Sequence, residues 1–157
     1  MQQQVVSHNE WMKTHTQFLA REKQLTRLRD DIASERRGLP AELVAKDYQF
    51  ANAEGKHGLG DLFQGSSQLV VYHFMLGAGW AEGCPSCSFI ADQFDNIRPH
   101  LLARDINLVA VSRAPWTEIE RFQTRMGWQF PWYSSNGTDF NFDFNQSSTR
   151  WRSGPWT

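Results

Sequence analysis

Gln68-Leu-Val-Val-Tyr-His-Phe-Met-Leu76-Gly-Ala-Gly-Trp80-Ala-Glu-Gly-Cys84-Pro-Ser-Cys87 decides how the 157-residue chain is read. Its first nine residues are almost all apolar or β-favouring, which predicts a central strand covered on both faces. Gly77, Gly79 and Gly83 then free the loop to bring backbone close to a neighbour. The only two cysteines of the chain follow, three positions apart with Pro85 and Ser86 between them. Beyond Cys87, Ile90, Phe94, Ile97 and Leu101 keep a four-three-four spacing, so a helix over 88–103 should follow, kinked at Pro99.

Working outward, Ile106-Asn-Leu-Val-Ala-Val111 reads as a second buried strand. Reached through that helix, it is parallel to the first and connected right-handedly. Pro115 opens a helix with Trp116, Ile119, Phe122 and Met126 inward and Gly127 at its end. Phe130-Pro-Trp-Tyr133 reads as a short strand that Pro131 pushes to an edge. Phe140, Phe142 and Phe144 alternate with polar residues and suggest one more half-buried strand. Residues 145–157 form an irregular tail. Upstream, Tyr48-Gln-Phe-Ala-Asn52 reads as a strand and Glu54-Gly-Lys56 as a turn; residues 57–63 return the chain to the core. Ser7 and Glu10 form a capping box, and Trp11, His15, Phe18, Leu25, Leu28 and Ile32 mark one face of a long helix. That helix is broken near Ala20 and stopped by Gly38 and Pro40. The organisation expected is therefore a helical extension over 1–40, an α/β domain over 41–144 and a tail over 145–157.

Composition bounds the function. The chain can bury about two-thirds of its unfolded surface in one core. Its net charge is −1 with pI ≈ 6.5, so no basic field points to nucleic acid or acidic membranes. No apolar run reaches membrane-spanning length and the first residues do not form a signal peptide, which leads to the expectation of a soluble protein of the cytoplasm. In that reducing compartment two close cysteines are catalytic or metal-binding before they are a structural staple.

A Cys-x-x-Cys between strand and helix reads as a thioredoxin-like redox site. Unpaired N–H groups and the positive helix end favour thiolate at Cys84, which becomes the nucleophile; Cys87, one turn on, becomes the resolving thiol. Pro85 suits the first helical turn, and Ser86 tunes the pair. Glu82 opposes the thiolate or relays protons, Arg113 at the end of the second buried strand offsets Glu82 or is an ordinary surface arginine, and Trp80 shapes the mouth of the site or belongs to the core. His73 reads as a satisfied core histidine. A metal site is a weaker alternative, because one Cys-x-x-Cys is half a zinc set and His57, His73 and His100 are scattered. The other alternative is a non-enzymatic binding or assembly module in which the N-terminal helix mediates association. A peroxidatic pattern, P-x-x-x-T/S-x-x-C, is absent: Gly77 and Ala81 stand at its first two places.

Several blocks in order carry a family resemblance: Lys23-Gln-Leu-Thr-Arg-Leu-Arg-Asp30, Glu35-Arg-Arg-Gly-Leu-Pro40, Lys46-Asp-Tyr-Gln-Phe50, Gln68-Leu-Val-Val-Tyr-His-Phe74 and Gly83-Cys-Pro-Ser-Cys-Ser-Phe89. Val109-Ala-Val-Ser-Arg-Ala-Pro115, Met126-Gly-Trp-Gln-Phe-Pro-Trp132 and Asp139-Phe-Asn-Phe-Asp143 complete them. Up to about Phe144 the chain resembles the domain of unknown function 899 family. The resemblance implies a thioredoxin-like fold with Cys84 and Cys87 as a dithiol–disulfide oxidoreductase pair. The resemblance supplies no substrate; the redox reading of the pair itself needs no organic cofactor, takes a protein or small-molecule disulfide as substrate and calls for an external thiol as reductant. After Phe144 the chain departs from the family, whose members continue through a further hairpin and helix. The expected consequence is an unpaired sheet edge open to homodimerisation, and the loss of a loop that faces the dithiol.

Overall fold

The structure, a computed structural model, describes residues 4–146; the expected tail beyond Gln146 lies outside the described residues. The chain divides between Ala45 and Lys46 into two compact units.

The first unit is built on α1 (His8–Arg37), a single helix of 30 residues. Ser7 caps it as the sequence implies: Glu10 N–H donates to Ser7 Oγ at 3.3 Å, and Ser7 N–H donates to the Glu10 carboxylate at 3.1 Å. The expected break near Ala20 is absent. Alanine is the best helix former and no Gly or Pro stands between 8 and 37, so nothing interrupts the ladder. None of its residues is buried, and Trp11, Phe18, Leu25, Leu28 and Ile32 are exposed.

The second unit is α/β. Its strands are β1 (Gln49–Asn52), β2 (Gly55–Gly58), β3 (Gln68–His73), β4 (Ile106–Ser112) and β5 (Trp132–Ser134), with a 3-10 turn at Gly60–Phe63. The helices are α2 (Pro85–Ala91), α3 (Phe94–Leu102), α4 (Trp116–Met126) and α5 (Phe140–Asp143). The sheet order is β2-β1-β5-β4-β3, with β3–β4 and β4–β5 parallel and β1 antiparallel to both of its neighbours. One face buries Phe74, Phe94, Leu108, Ile119, Phe122, Trp128 and Trp132 under the helices; the other buries Tyr48, Phe50, Leu62, Val109, Val111, Tyr133 and Phe140. Alternate residues of β4 feed the two clusters, which is why this strand is buried from Asn107 to Ser112.

Four expectations are corrected here. The Gln68–His73 strand is an edge strand among the described residues, paired with β4 alone, and it is half-exposed rather than covered on both faces. Its apolar composition reflects one buried face and a parallel partner. The strand expected at an edge because of Pro131 is instead the middle of the five. Pro131 stands just before β5, where its missing N–H is not needed, while its carbonyl accepts from Ala110 N–H at 2.9 Å. The segment after Cys87 is two helices, not one kinked at Pro99: the break is at Asp92–Gln93, and Pro99 lies inside α3. Trp128 Nε1 donates to Asp92 Oδ1 and Gln129 N–H to Asp95 Oδ2, both at 2.9 Å, which ties the break to the neighbouring loop. Finally, 140–143 is helical rather than a strand. The Phe140 and Phe144 rings meet at 4.8 Å across an i,i+4 step and enclose Tyr48, a contact that a strand cannot make.

Candidate active site

β3 leads into a folded loop before the dithiol. Phe74 N–H still donates to Val111 O at 2.9 Å, and Cys84 N–H then returns to Met75 O at 3.0 Å, closing residues 76–83 into a compact excursion. Glycine is required in that closure. A Cβ on Gly83 would lie 2.6 Å from Phe74 Cε1 and 2.8 Å from Phe122 Cζ, and one on Gly77 would lie 2.9 Å from Trp80 Nε1. Gly79 adopts φ +77°, and its N–H donates to Glu118 at 2.9 Å.

Cys84 is the N-cap of α2 and Pro85 its first helical residue, with the missing proline N–H falling where no intrahelical partner exists. Ser88 anchors the turn: its N–H and its Oγ both donate to Cys84 O, at 2.9 and 3.1 Å. Both thiols are free and half-buried. Burial pushes each thiol up, but the pair diverges. At Cys84, main-chain hydrogen bonding from Cys87 and Ser86 and the Cys87 thiol outweigh burial, so its pKa lies below the ordinary value. At Cys87 burial prevails over hydrogen bonding from the Met75 main chain and Tyr72, and a Cys84 thiolate raises it further.

The other residues singled out in the sequence are not all brought together. Ser86 is exposed and contributes main-chain hydrogen bonding to Cys84. Trp80 is half-buried and packs against the core cluster that Cys87 also borders. Glu82 is exposed and forms a two-pronged ion pair with Arg125, which donates to Oε1 at 2.8 Å and also to Oε2. Hydrogen bonding from Arg125 holds its carboxyl below the usual range. Arg113 is not the arginine paired with Glu82; its guanidinium lies 4.8 Å from the Phe142 ring centroid, beside a cleft of about 650 Å³ that His73, Trp80 and Asn141 also line. Neither cysteine lines this cleft. His73 is half-buried, stacks on Phe140 at 5.3 Å and has Nδ1 3.2 Å from Asn141 Nδ2; burial lowers its pKa. Among the described residues no three His, Cys, Asp or Glu side chains converge into a set that could hold a metal ion. No described helix is long and apolar enough to cross a membrane.

Three participants were not singled out from the sequence: the Met75 main chain, Arg125 and Tyr72. Tyr72 carried a signal, since strand parity puts it on the same face as Phe74, the face that packs against the dithiol helix.

The chain belongs to the family described as bacterial protein of unknown function (DUF899), whose model matches residues 1–154 and so runs past Phe144, where a departure from the family was expected. No curated protein matches it in sequence. Among solved structures, the solution structure of a candidate protein disulfide isomerase from Bacteroides thetaiotaomicron is similar at 20% identity with a TM-score of 0.47. That match covers 70% of this chain and 64% of the other.

Proposed function

We propose that this member of the family is a thiol–disulfide oxidoreductase of a reducing compartment such as the cytoplasm, with Cys84 as nucleophile and Cys87 as resolving thiol. The observation that carries the reading is the placement of two free, half-buried thiols one helical turn apart, Cys84 as the N-cap of α2 and Cys87 within its first turn; hydrogen bonding that lowers the Cys84 thiol and burial that raises Cys87 agree with it. A thiolate is the attacking species, so the order of events follows from that difference. The Cys84 thiolate attacks one sulfur of a substrate disulfide and the other leaves as a thiolate that takes a proton from solvent. Cys87 then loses its proton and attacks Cys84 Sγ, forming the Cys84–Cys87 bond and releasing the second substrate sulfur. The substrate gains two electrons and the protein loses two. A low-molecular-weight or protein thiol returns them.

An insulin reduction assay with dithiothreitol as terminal reductant tests this. Turnover should be lost in Cys84→Ser, while Cys87→Ser should accumulate a mixed disulfide through Cys84. Equal turnover in wild type and Cys84→Ser would sink the proposal.

A further inference from the structure

Tyr72 stands on the last turn of the pleat before β3 gives way to the active-site loop, on the face covered by α2 and α3. Its ring meets Phe94 edge-on, with centroids 4.9 Å apart and planes at 88°, and it borders the same buried cluster as Cys87. The ring is thereby held, and its hydroxyl is brought under the first turn of α2. There it donates to the Cys87 carbonyl at 3.4 Å, beside the side chain of the same residue. The hydroxyl has one proton to give, and the carbonyl is the acceptor it meets in the resting dithiol. The carbonyl contact is long for an O–H donor, whereas a sulfur that has lost its proton is a charged acceptor and draws a stronger bond.

We infer that Tyr72 is a positioning residue for the second half of the exchange, its hydroxyl donating to the Cys87 sulfur as that sulfur becomes the attacking thiolate. The inference rests on the dithiol reading above and adds to it the group that makes a buried resolving thiol usable. Burial and its hydrogen bond to Cys87 hold the phenol well above its usual range, so Tyr72 stays protonated and acts as a donor rather than a base. The Cys87 proton therefore passes to solvent or to the departing substrate thiolate. Other charged groups near the site are engaged elsewhere. Glu82 pairs with Arg125, Asp92 accepts from the Trp128 indole, Asp95 from Gln129 N–H and Glu118 from Gly79 N–H. Tyr72 is the group whose hydroxyl reaches the residue 87 main chain.

The test is the pH profile of iodoacetamide alkylation in the full chain. In a Cys84→Ser background, where Cys87 is the single thiol, adding Tyr72→Phe keeps the ring and removes the donor. The Cys87 midpoint should rise, slowing alkylation about tenfold at any pH below it, as expected for loss of a hydrogen bond to an ion. In a Cys87→Ser background the same change should leave Cys84 where it was. An unmoved Cys87 profile, or an equal shift in both thiols, would overturn the inference; the second result is what a displaced ring would produce. Should Tyr72→Phe fail to fold, 3-fluorotyrosine at position 72, a more acidic donor, should lower the Cys87 midpoint, and no movement there overturns the idea equally. Alkylation needs no disulfide substrate. Absence of insulin turnover would therefore defeat the enzymatic reading while leaving the Tyr72 result to be judged by itself.

Discussion

Gly83→Ala places one methyl group where two rings already meet. The added carbon would approach Phe74 Cε1 to 2.6 Å and Phe122 Cζ to 2.8 Å, against an ordinary carbon contact of about 3.5–4.0 Å. Neither ring can withdraw freely. Phe74 is 3% exposed and Phe122 6%, and their centroids lie 5.7 Å apart. Phe74 is further confined by Trp128 at 5.8 Å and Trp132 at 4.8 Å, and Phe122 by Trp128 at 5.7 Å. Overpacking of this kind costs about 1–3 kcal/mol. With a urea m-value of about 2 kcal/mol/M, the unfolding midpoint should fall by roughly 0.5–1.5 M. The alternative escape is for residue 83 to move outward, which would pull Cys84 N–H from Met75 O and change Cys84 alkylation. Urea denaturation followed by tryptophan fluorescence, paired with Cys84 alkylation rates, reads both outcomes. Gly60→Ala is the control, since nothing lies within 4 Å of a Cβ there, and it should stay within about 0.5 kcal/mol of wild type. A Gly83→Ala protein with both the wild-type midpoint and the wild-type Cys84 reactivity would refute the packing argument.

Two further outcomes follow from the electrostatics. The Cys84 thiol is depressed in the folded protein, so it contributes stability that is fully present above the unfolded thiol value of about 8.5 and is lost as pH falls through the folded value. Urea midpoints of Cys87→Ser should rise with pH across that window relative to Cys84→Ser/Cys87→Ser; parallel curves would contradict the depression. Because Glu82 is exposed and tied to Arg125, Glu82→Gln should change the Cys84 alkylation rate by less than about twofold, as expected of a solvent-screened charge. A larger acceleration would show that the Glu82 carboxylate reaches Cys84 after all.

The Cys-x-x-Cys was legible because its chemistry is local. A proline at the first helical position, a strand before it and an apolar 3.6-residue period after it all lie in the one continuous stretch from Gln68 to Leu101. The Ser7–Glu10 cap, the α4 helix ended by Gly127 and the parallel β3–β4 pair were legible on the same ground. Tyr72 was not, because its significance depends on a hydroxyl meeting the carbonyl of a cysteine fifteen residues further on, across the strand-to-helix turn. The Arg125 partner of Glu82 was not legible either, because several arginine positions are compatible with the same sheet edge. Which one reaches depends on where α4 lies against the loop, and that puts Arg125 at the carboxylate and Arg113 on the Phe142 ring.

Sequence alone thus determined the element types whose periodicity is unambiguous, the dithiol and its attachment to a helix N-terminus. Tertiary structure decided strand order, which sends Pro131 to the middle of the sheet and the Gln68–His73 strand to its edge. It also decided that Phe140–Asp143 coils into a helix, and which side chains surround the two sulfurs. The division has a physical reason. Periodicity and capping are set by neighbours three or four residues away, whereas strand order and the environment of a thiol are set by what remote segments place beside it.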